Sequence, residues 1–565
     1  MACPGPKYAI LPAIGIFLIV FGVIVALAFP GYIGGRLVET DHLGFDANGS
    51  LNAMTKAWAQ PDYDMQLSLW VYSVQNPAAV IDGQKPNVVE KGPYVFVEKQ
   101  AKTFSFTQNN TRTIYHNNKL YFFSQKLSCP TCLLSDNVTV PNLIFQKLVD
   151  AAEGNLIVRS AITAAIQIAH ETVFIKVTVG DLLFNGYKDP LISGICERPI
   201  ISTICRAFNV PDRIGLFYGV CLLFVIQLAC VIVIVIGYNV VSIPRLVPFI
   251  TFQLVIELLQ QNNTDDGAYE INTGLLDPYQ LGHLYSYNNM TIQNGSVYYG
   301  PQARMVNGSD GQLFHPFLDS DQKITIFVGQ ICRSIELEFN KLREFDDVTT
   351  YEYQPAKELQ DVDLQRSLGF CNPLSPRYFN STVVQPEKCG PKGLMDISSC
   401  APGNPRIYIS NPHFYDCPNA LSEAIDGLKQ PEADNDRTFV LIQPTAGVVV
   451  HAVRRSQINV GMLPGKIRFL SKMNPTIVPV IWLNETAHFD PVTKAQLVQL
   501  TTITKVAQVI SVTVIGVGIF CIFLNLATFL VLRFYKKDGD EPLLSPYDND
   551  EDVEQAQDNP VAGDD

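Results

Sequence analysis

Charge is scarce in this chain. Only 17% of the 565 residues are charged, below the usual quarter, while hydrophobic residues reach 47%. A wholly disordered protein needs the opposite balance, so that class is excluded. Basic residues are the scarcer sign: Lys+Arg total 41 against Asp+Glu 54, a formal net charge of −13. The basic footprint of a nucleic-acid binder is missing, and no nucleic-acid partner is expected. Catalytic signatures are missing too. There is no GxSxG elbow, no P-loop and no GxGxxG opening a helix. His170-Glu171 lacks the second histidine of a zinc-protease motif, and no histidine cluster suggests zinc. No catalytic residue, metal or cofactor is therefore expected, which leaves a membrane receptor or transporter as the default. The acidic pairs Asp265-Asp266 and Asp346-Asp347 read as solvated turns rather than as an acid/base couple. Thirteen cysteines in a chain this long are too dilute for a disulfide mini-scaffold, so any bridges are local staples on a large core.

What the chain does have is long apolar runs. Residues 9–29 form 21 positions without a charge, enough at about 1.5 Å per residue to cross the hydrocarbon core. A secretory signal is the rival reading. The run is longer than a signal core of roughly 7–15 residues and no small-x-small cleavage site follows, so an uncleaved span is preferred. Residues 506–532 are a second uncharged run of 27, closed by Arg533, Lys536 and Lys537. That basic edge places the following tail in the cytosol. The tail, residues 533–565, holds 3 basic and 11 acidic side chains, net −8, and reads as solvated.

A third run, residues 220–241, is as apolar as the other two but conflicts with the glycosylation pattern. Nine Asn-x-Ser/Thr sites occur, at Asn48, Asn109, Asn137, Asn262, Asn289, Asn294, Asn307, Asn380 and Asn484. All lie between the terminal spans, three before the run and six after it. Such sites are used only on the lumenal or extracellular side, so a single crossing would divide them. The reading is a cytosolic N-terminus at 1–7, a span at 8–30, a glycosylated disulfide-bonded ectodomain at 31–505, a span at 506–532 and a cytosolic tail at 533–565.

Outside the cell cysteines pair. Nine fall in the ectodomain: Cys129, Cys132, Cys196, Cys205, Cys332, Cys371, Cys389, Cys400 and Cys417. The odd count leaves at least one unpaired. Cys129-Pro130-Thr131-Cys132 has redox spacing but no βαβ context, so it reads as a structural bridge. Alternating runs at 67–74, 94–98, 119–125, 323–328 and 438–443 predict strands, separated by turn signals such as Asn76-Pro77 and Gly92-Pro93. Residues 141–172, rich in Ala, Leu and Ile with Gly154 as a break, predict a helical pair. The fold class is α+β: a mostly antiparallel β ectodomain with inserted helices between two terminal transmembrane helices.

Several stretches then resemble one family. Leu69-Trp70-Val71-Tyr72-Ser73-Val74-Gln75-Asn76-Pro77 and Glu90-Lys91-Gly92-Pro93-Tyr94-Val95-Phe96 look like the opening of the class B scavenger receptors. The resemblance continues through Gly186-Tyr187-Lys188-Asp189-Pro190, Gly215-Leu216-Phe217-Tyr218, Asn262-Asn263-Thr264-Asp265-Asp266-Gly267 and Ile331-Cys332-Arg333-Ser334-Ile335. It closes with Met395-Asp396-Ile397-Ser398-Ser399-Cys400, Asn411-Pro412-His413-Phe414 and Val478-Pro479-Val480-Ile481-Trp482-Leu483-Asn484-Glu485-Thr486.

The resemblance implies a large β-barrel-like ectodomain, a helical bundle at the membrane-distal apex that receives ligands, and a lipid-lined tunnel toward the bilayer. It implies lipid partners (fatty acid, sterol or phospholipid) or lipoproteins. The alternative is a lysosomal sorting receptor with a soluble lumenal protein as partner and cytosolic sorting adaptors. Bridges Cys332–Cys400 and Cys371–Cys389 follow from the matched positions, with Cys196–Cys205 as a third pair suggested by their nearness in sequence. The apex maps to residues 141–174, where Lys147, Arg159 and His170 are the candidate ligand-binding side chains. The family's lysine positions before Val173-Phe174 align here with Ile168 and His170, so the apex is less basic. His170 invites a pH-dependent reading beside the plain one of a surface histidine.

In the family the strand matching 215–218 runs almost directly into the Asn262 stretch. Here the 41 residues 220–260 intervene, with no acidic residue before Glu257. Three readings stand, in order of preference: a translated non-coding segment, a membrane-dipping hairpin bent at Pro244-Arg245, and a true third span. In the tail, Asp540-Glu541-Pro542-Leu543-Leu544 matches an acidic dileucine sorting signal through Asp540, Leu543 and Leu544. The expected location is the plasma membrane, with the endosome or lysosome membrane as the alternative.

Overall fold

The computed structural model describes residues 10–61, 65–154, 156–196, 213–216, 264–356, 369–401 and 404–537. Two bodies are separable: Met1–Ile33 with Thr502–Asp565, and Gly34–Thr501.

The first body is helical. The helices Ile10–Thr40 and Pro491–Lys537 carry stretches long and apolar enough to cross a membrane, Ile10–Ile33 and Pro491–Phe534. Glycines allow these two helices to touch. A Cβ on Gly15 would stand 2.7 Å from the Gly518 carbonyl oxygen, and one on Gly22 2.7 Å from Ile515 Cγ1. Small residues at such crossings let backbones approach where the hydrophobic effect between helices is absent.

The second body is built on one large antiparallel sheet. Its strands in chain order are β1 (Met65–Val74), β2 (Val88–Thr107), β3 (Arg112–Phe123), β4 (Asn137–Pro141), β5 (Phe174–Thr178), β6 (Thr264–Asp265), β7 (Tyr269–Asn272) and β8 (Leu284–Tyr287). They continue as β9 (Ile324–Val328), β10 (Arg333–Phe345), β11 (Val348–Pro355), β12 (Met395–Asp396), β13 (Ile407–Ser410), β14 (Phe439–Gln443), β15 (Val448–Met462) and β16 (Thr476–His488). The strand order is β8-β7-β3-β2-β1-β16-β15-β14-β11-β10-β9, with β6 beside β3, β13 beside β15 and β12 beside β13. β4 and β5 pair separately.

The two ends of this order approach each other through residues 308–309. Leu284 N donates to Gly308 O (2.8 Å), and Ser309 N donates to Thr325 O (2.9 Å). The sheet is thus nearly closed, which hides most of its edge hydrogen-bonding groups.

The predicted strands appear with shifted bounds. The largest change is β2, foreseen as 94–98 and found to span 20 residues, because the alternation continues through Lys102, Phe104 and Phe106. Central β1, paired with β2 and β16 on its two edges, is buried on both faces over most of its length. Trp70 faces Trp482 across the β1–β16 ladder, their rings stacked 3.7 Å apart.

The predicted helical pair is Leu143–Ala151 and Leu156–Ile168. Asn142 starts the first, its Oδ1 accepting from Ile144 N (3.0 Å) and Phe145 N (3.2 Å). Residues 217–263, Asn262 and the atypical insert included, lie outside the described residues, as does the dileucine of the tail.

Candidate ligand-binding cavity and apex

The residues expected at the apex do not form a free cationic patch. Lys147 Nζ lies 3.2 Å from Asp150 Oδ2 and donates to Asn404 O at 3.1 Å. Arg159 reaches back to the end of the first helix, donating to Ala152 O (3.2 Å) and Gly154 O (3.4 Å). That satisfies carbonyls the helix leaves open. His170 is exposed, with φ +53° just past the second helix. The bundle also presents large apolar side chains to solvent: Leu156 is 71% exposed, Ile157 64% and Ile168 66%.

Beneath that surface two carboxyl groups meet. Glu171 Oε1 accepts from Asn142 Nδ2 (2.5 Å), and Glu171 Oε2 from Leu191 N (3.1 Å). Asp189 Oδ1 accepts from Leu191 N (3.0 Å) and Ile192 N (3.1 Å), starting the helix Pro190–Cys196. Burial, then the neighbouring Asp189 charge, pushes Glu171 up to about 8; burial likewise raises Asp189.

Within the nearly closed sheet lies a cavity of about 1020 Å³, the size of a pocket for a sizeable ligand. One wall is apolar, formed by Ile326, Ile335, Leu337, Val440 and Val449. The other is polar. Tyr115, Asn117 and Lys119 alternate along β3 and all line the cavity.

Lys119 Nζ sits 3.2 Å from Glu98 Oε1 and 3.5 Å from Glu485 Oε1, and Arg454 closes the group on Glu485. Burial would raise Glu485, but Arg454 and then Lys119 outweigh it and hold the carboxyl low. Burial and Glu485 push Glu98 the other way. Arg454 keeps 46% of its side-chain surface accessible although it stands inside the barrel; that surface faces the cavity.

Further along the polar wall the Tyr115 hydroxyl donates to Asp310 Oδ2 (2.5 Å), and Asp310 Oδ1 accepts from Gln312 N (2.9 Å). Asp266, read above as part of a solvated turn, is instead half-buried and lines this wall. Burial pushes its carboxyl up to about 6. Asp346 and Asp347 do form an exposed turn, as expected.

The cysteines join as Cys129–Cys132, Cys332–Cys400 and Cys371–Cys389. Cys417 is free, and Cys205 lies outside the described residues. Of the sequon asparagines, Asn48, Asn109, Asn137, Asn289, Asn294, Asn307 and Asn380 are exposed, and Asn484 is half-buried in β16. Sequence reasoning missed the cavity's polar wall. The available signal was a charged residue at an inward position of a strand, as at Lys119 in β3 and Glu485 in β16.

Apolar helices at both ends of the chain and a nearly closed, cavity-bearing sheet in the larger body define a membrane protein of the scavenger-receptor type. The chain belongs to the CD36 family, whose profile matches residues 13–529. It is 25% identical over 470 residues to lysosome membrane protein 2 of Rattus norvegicus, covering 82% of this chain and 83% of the relative. It is 24% identical over 519 residues to scavenger receptor class B member 1 of Cricetulus griseus, covering 90% and 86%. An uncharacterised protein of Caenorhabditis elegans is 26% identical over 583 residues, covering 92% and 95%.

Proposed function

We propose that this protein is a lipid-binding receptor rather than an enzyme: it takes up lipid or lipoprotein-borne lipid at the apex and passes it through the barrel cavity toward the membrane. The observation that carries this reading is the cavity of about 1020 Å³ with one apolar and one polar wall. An acyl chain leaving water gains about 0.8 kcal/mol per CH₂, so an enclosed apolar path lowers the cost of moving it. The apolar residues Leu156, Ile157 and Ile168 on the apical bundle suit a lipid-bearing ligand better than a purely anionic one.

In this reading the ectodomain faces outward, both termini are cytosolic, and the protein works at the plasma membrane, with endolysosomal sorting through Asp540, Leu543 and Leu544 as the alternative. A sorting receptor for a soluble lumenal protein is the second function. The same exposed apical leucine and isoleucines favour it, because they could equally cover a protein surface.

The test is lipid extraction from the purified full-length protein followed by mass spectrometry. Stoichiometric lipid is expected. A folded protein without lipid, co-purifying with one lumenal protein, would move the assignment to the sorting receptor.

A further inference from the structure

The bridge Cys129–Cys132 is placed unlike the other two. It joins cysteines three residues apart, where Cys371–Cys389 spans 18 and Cys332–Cys400 spans 68. In the chain-entropy account a cross-link that closes so short a loop removes the least freedom from the unfolded chain, so it adds the least stability of the three. The loop is also held without it. On the Cys129 side, Cys129 N donates to Pro93 O (2.9 Å), while Ser128 Oγ accepts from Val95 N (2.9 Å) and donates to Ser124 O (2.7 Å). On the Cys132 side, Asp136 Oδ2 accepts from Leu133 N (2.8 Å), Lys91 Nζ (2.7 Å) and the Tyr94 hydroxyl (2.7 Å). Gly180 N and Val179 N donate to Leu134 O and Asp136 O, both at 2.8 Å. Opening the sulfur–sulfur bond leaves these hydrogen bonds intact, and they keep the two thiols near each other.

The two sulfurs differ in access. Cys132 is fully buried in the main core. Cys129 is half-buried, and Pro130 and Thr131 beside it are exposed, as are Leu127 and Leu133 on either flank in sequence. The Thr131 hydroxyl stands 3.7 Å from Cys129 Sγ, where it can donate to a thiolate formed there.

We propose that Cys129–Cys132 is an exchangeable disulfide, opened and closed by a protein dithiol, with Cys129 as the sulfur attacked and Cys132 as the resolving thiol. In the opening direction a partner thiolate attacks Cys129 Sγ. A bond forms from the partner's sulfur to Cys129, the Cys129–Cys132 bond breaks, and its electron pair leaves on Cys132 Sγ, which takes up a proton. The partner's second thiolate then attacks its own sulfur in the mixed disulfide and expels the Cys129 thiolate, which is protonated in turn. The partner is oxidised to a disulfide, this chain is reduced to a dithiol, and the two protons are those the partner's thiols gave up. The exposed leucines around the reacting sulfur favour a polypeptide partner over a small thiol such as glutathione. None of this depends on the lipid-binding reading.

The experiment exposes the purified full-length protein to reduced thioredoxin, or to reduced glutathione at the same thiol concentration. Free thiols are alkylated with one reagent and, after full reduction, the remainder with a second, so that peptide mass spectrometry reads each cysteine separately. Thioredoxin is expected to open Cys129–Cys132 about tenfold faster, or more, than Cys332–Cys400 and Cys371–Cys389, and oxidised thioredoxin to close it again. Oxidised glutathione should load Cys129 in Cys132→Ser but not Cys132 in Cys129→Ser. A bridge that stays closed until the other two open overturns the proposal, and that result needs no variant to fold. Equal loading of the two single variants overturns the assigned roles, and opening as fast by glutathione as by thioredoxin overturns the protein partner.

Discussion

Two buried residues hold a proton for opposite reasons. His413 is enclosed, and burial alone would lower its basicity. Hydrogen bonds from Nδ1 to Asp436 (2.9 Å) and from Nε2 to Glu90 (2.9 Å) outweigh that and raise it to about 9. Glu171 is raised because burial and the neighbouring Asp189 outweigh the hydrogen bonds it accepts from Asn142 and Leu191. The two shifts share one sign in stability. A group whose folded pKa lies above its unfolded value stabilises below the unfolded value and loses that contribution as pH rises through the folded one.

For Glu171 the window runs from about 4.5 to about 8, so the helical pair it follows is firmest in acid and loosens toward neutral and basic pH. Glu171→Gln keeps an uncharged hydrogen-bonding group at every pH. Its expected effect is to remove a fall in unfolding free energy of roughly 1 kcal/mol per pH unit. Urea unfolding at pH 5, 6, 7 and 8 measures this. A variant whose stability falls as steeply as the parent's would show that the carboxyl is not the titrating group.

Elements were more legible in the sequence than the site they build. Period-two alternation located β1, β9 and β14 to within two residues, because each has its apolar residues fixed by the core. Gly154 marked the break between the helices Leu143–Ala151 and Leu156–Ile168. The site was less legible because it depends on pairing across strands distant in sequence. Nothing near Asp266 announces that β6 lays it into a cavity beside β3, and nothing near Arg159 announces that it folds back onto Ala152. The spans likewise announced their length but not their contact.

That contact is testable at Gly518, where a Cβ would lie 2.6 Å from the Gly15 carbonyl oxygen and 2.8 Å from Ile19 Cγ1. Gly518→Leu should separate the two helices and destabilise the protein by about 1–3 kcal/mol, the usual cost of overpacking. The check is the melting temperature of the detergent-solubilised full chain, with Gly516→Leu as control, since no atom lies within 4 Å of a Cβ there. Equal melting temperatures for the two variants would mean the helices do not meet at Gly518.

At the scale of the molecule, one sheet constrains the topology of the whole chain. β1 pairs with β16 from Met65↔Ala487 to Val71↔Ile481, and β3 pairs with β7 from Arg112↔Asn272 to Tyr115↔Tyr269. Strands from before residue 217 and after residue 263 are thus hydrogen-bonded to each other, and hydrogen-bonded neighbours in one sheet cannot stand on opposite sides of a bilayer. Whatever residues 217–263 do, both flanks must face the same compartment. Asn109, in the β2–β3 turn, and Asn289, beyond β8, are exposed on either flank. Expression in mammalian cells should therefore attach glycans to both, and Asn109→Gln and Asn289→Gln should each remove one glycan's increment of mobility on a gel, with no difference remaining after enzymatic deglycosylation. Modification of the first flank alone would mean that residues 217–263 carry the chain across the membrane, and the β1–β16 and β3–β7 ladders could not then exist in the mature protein.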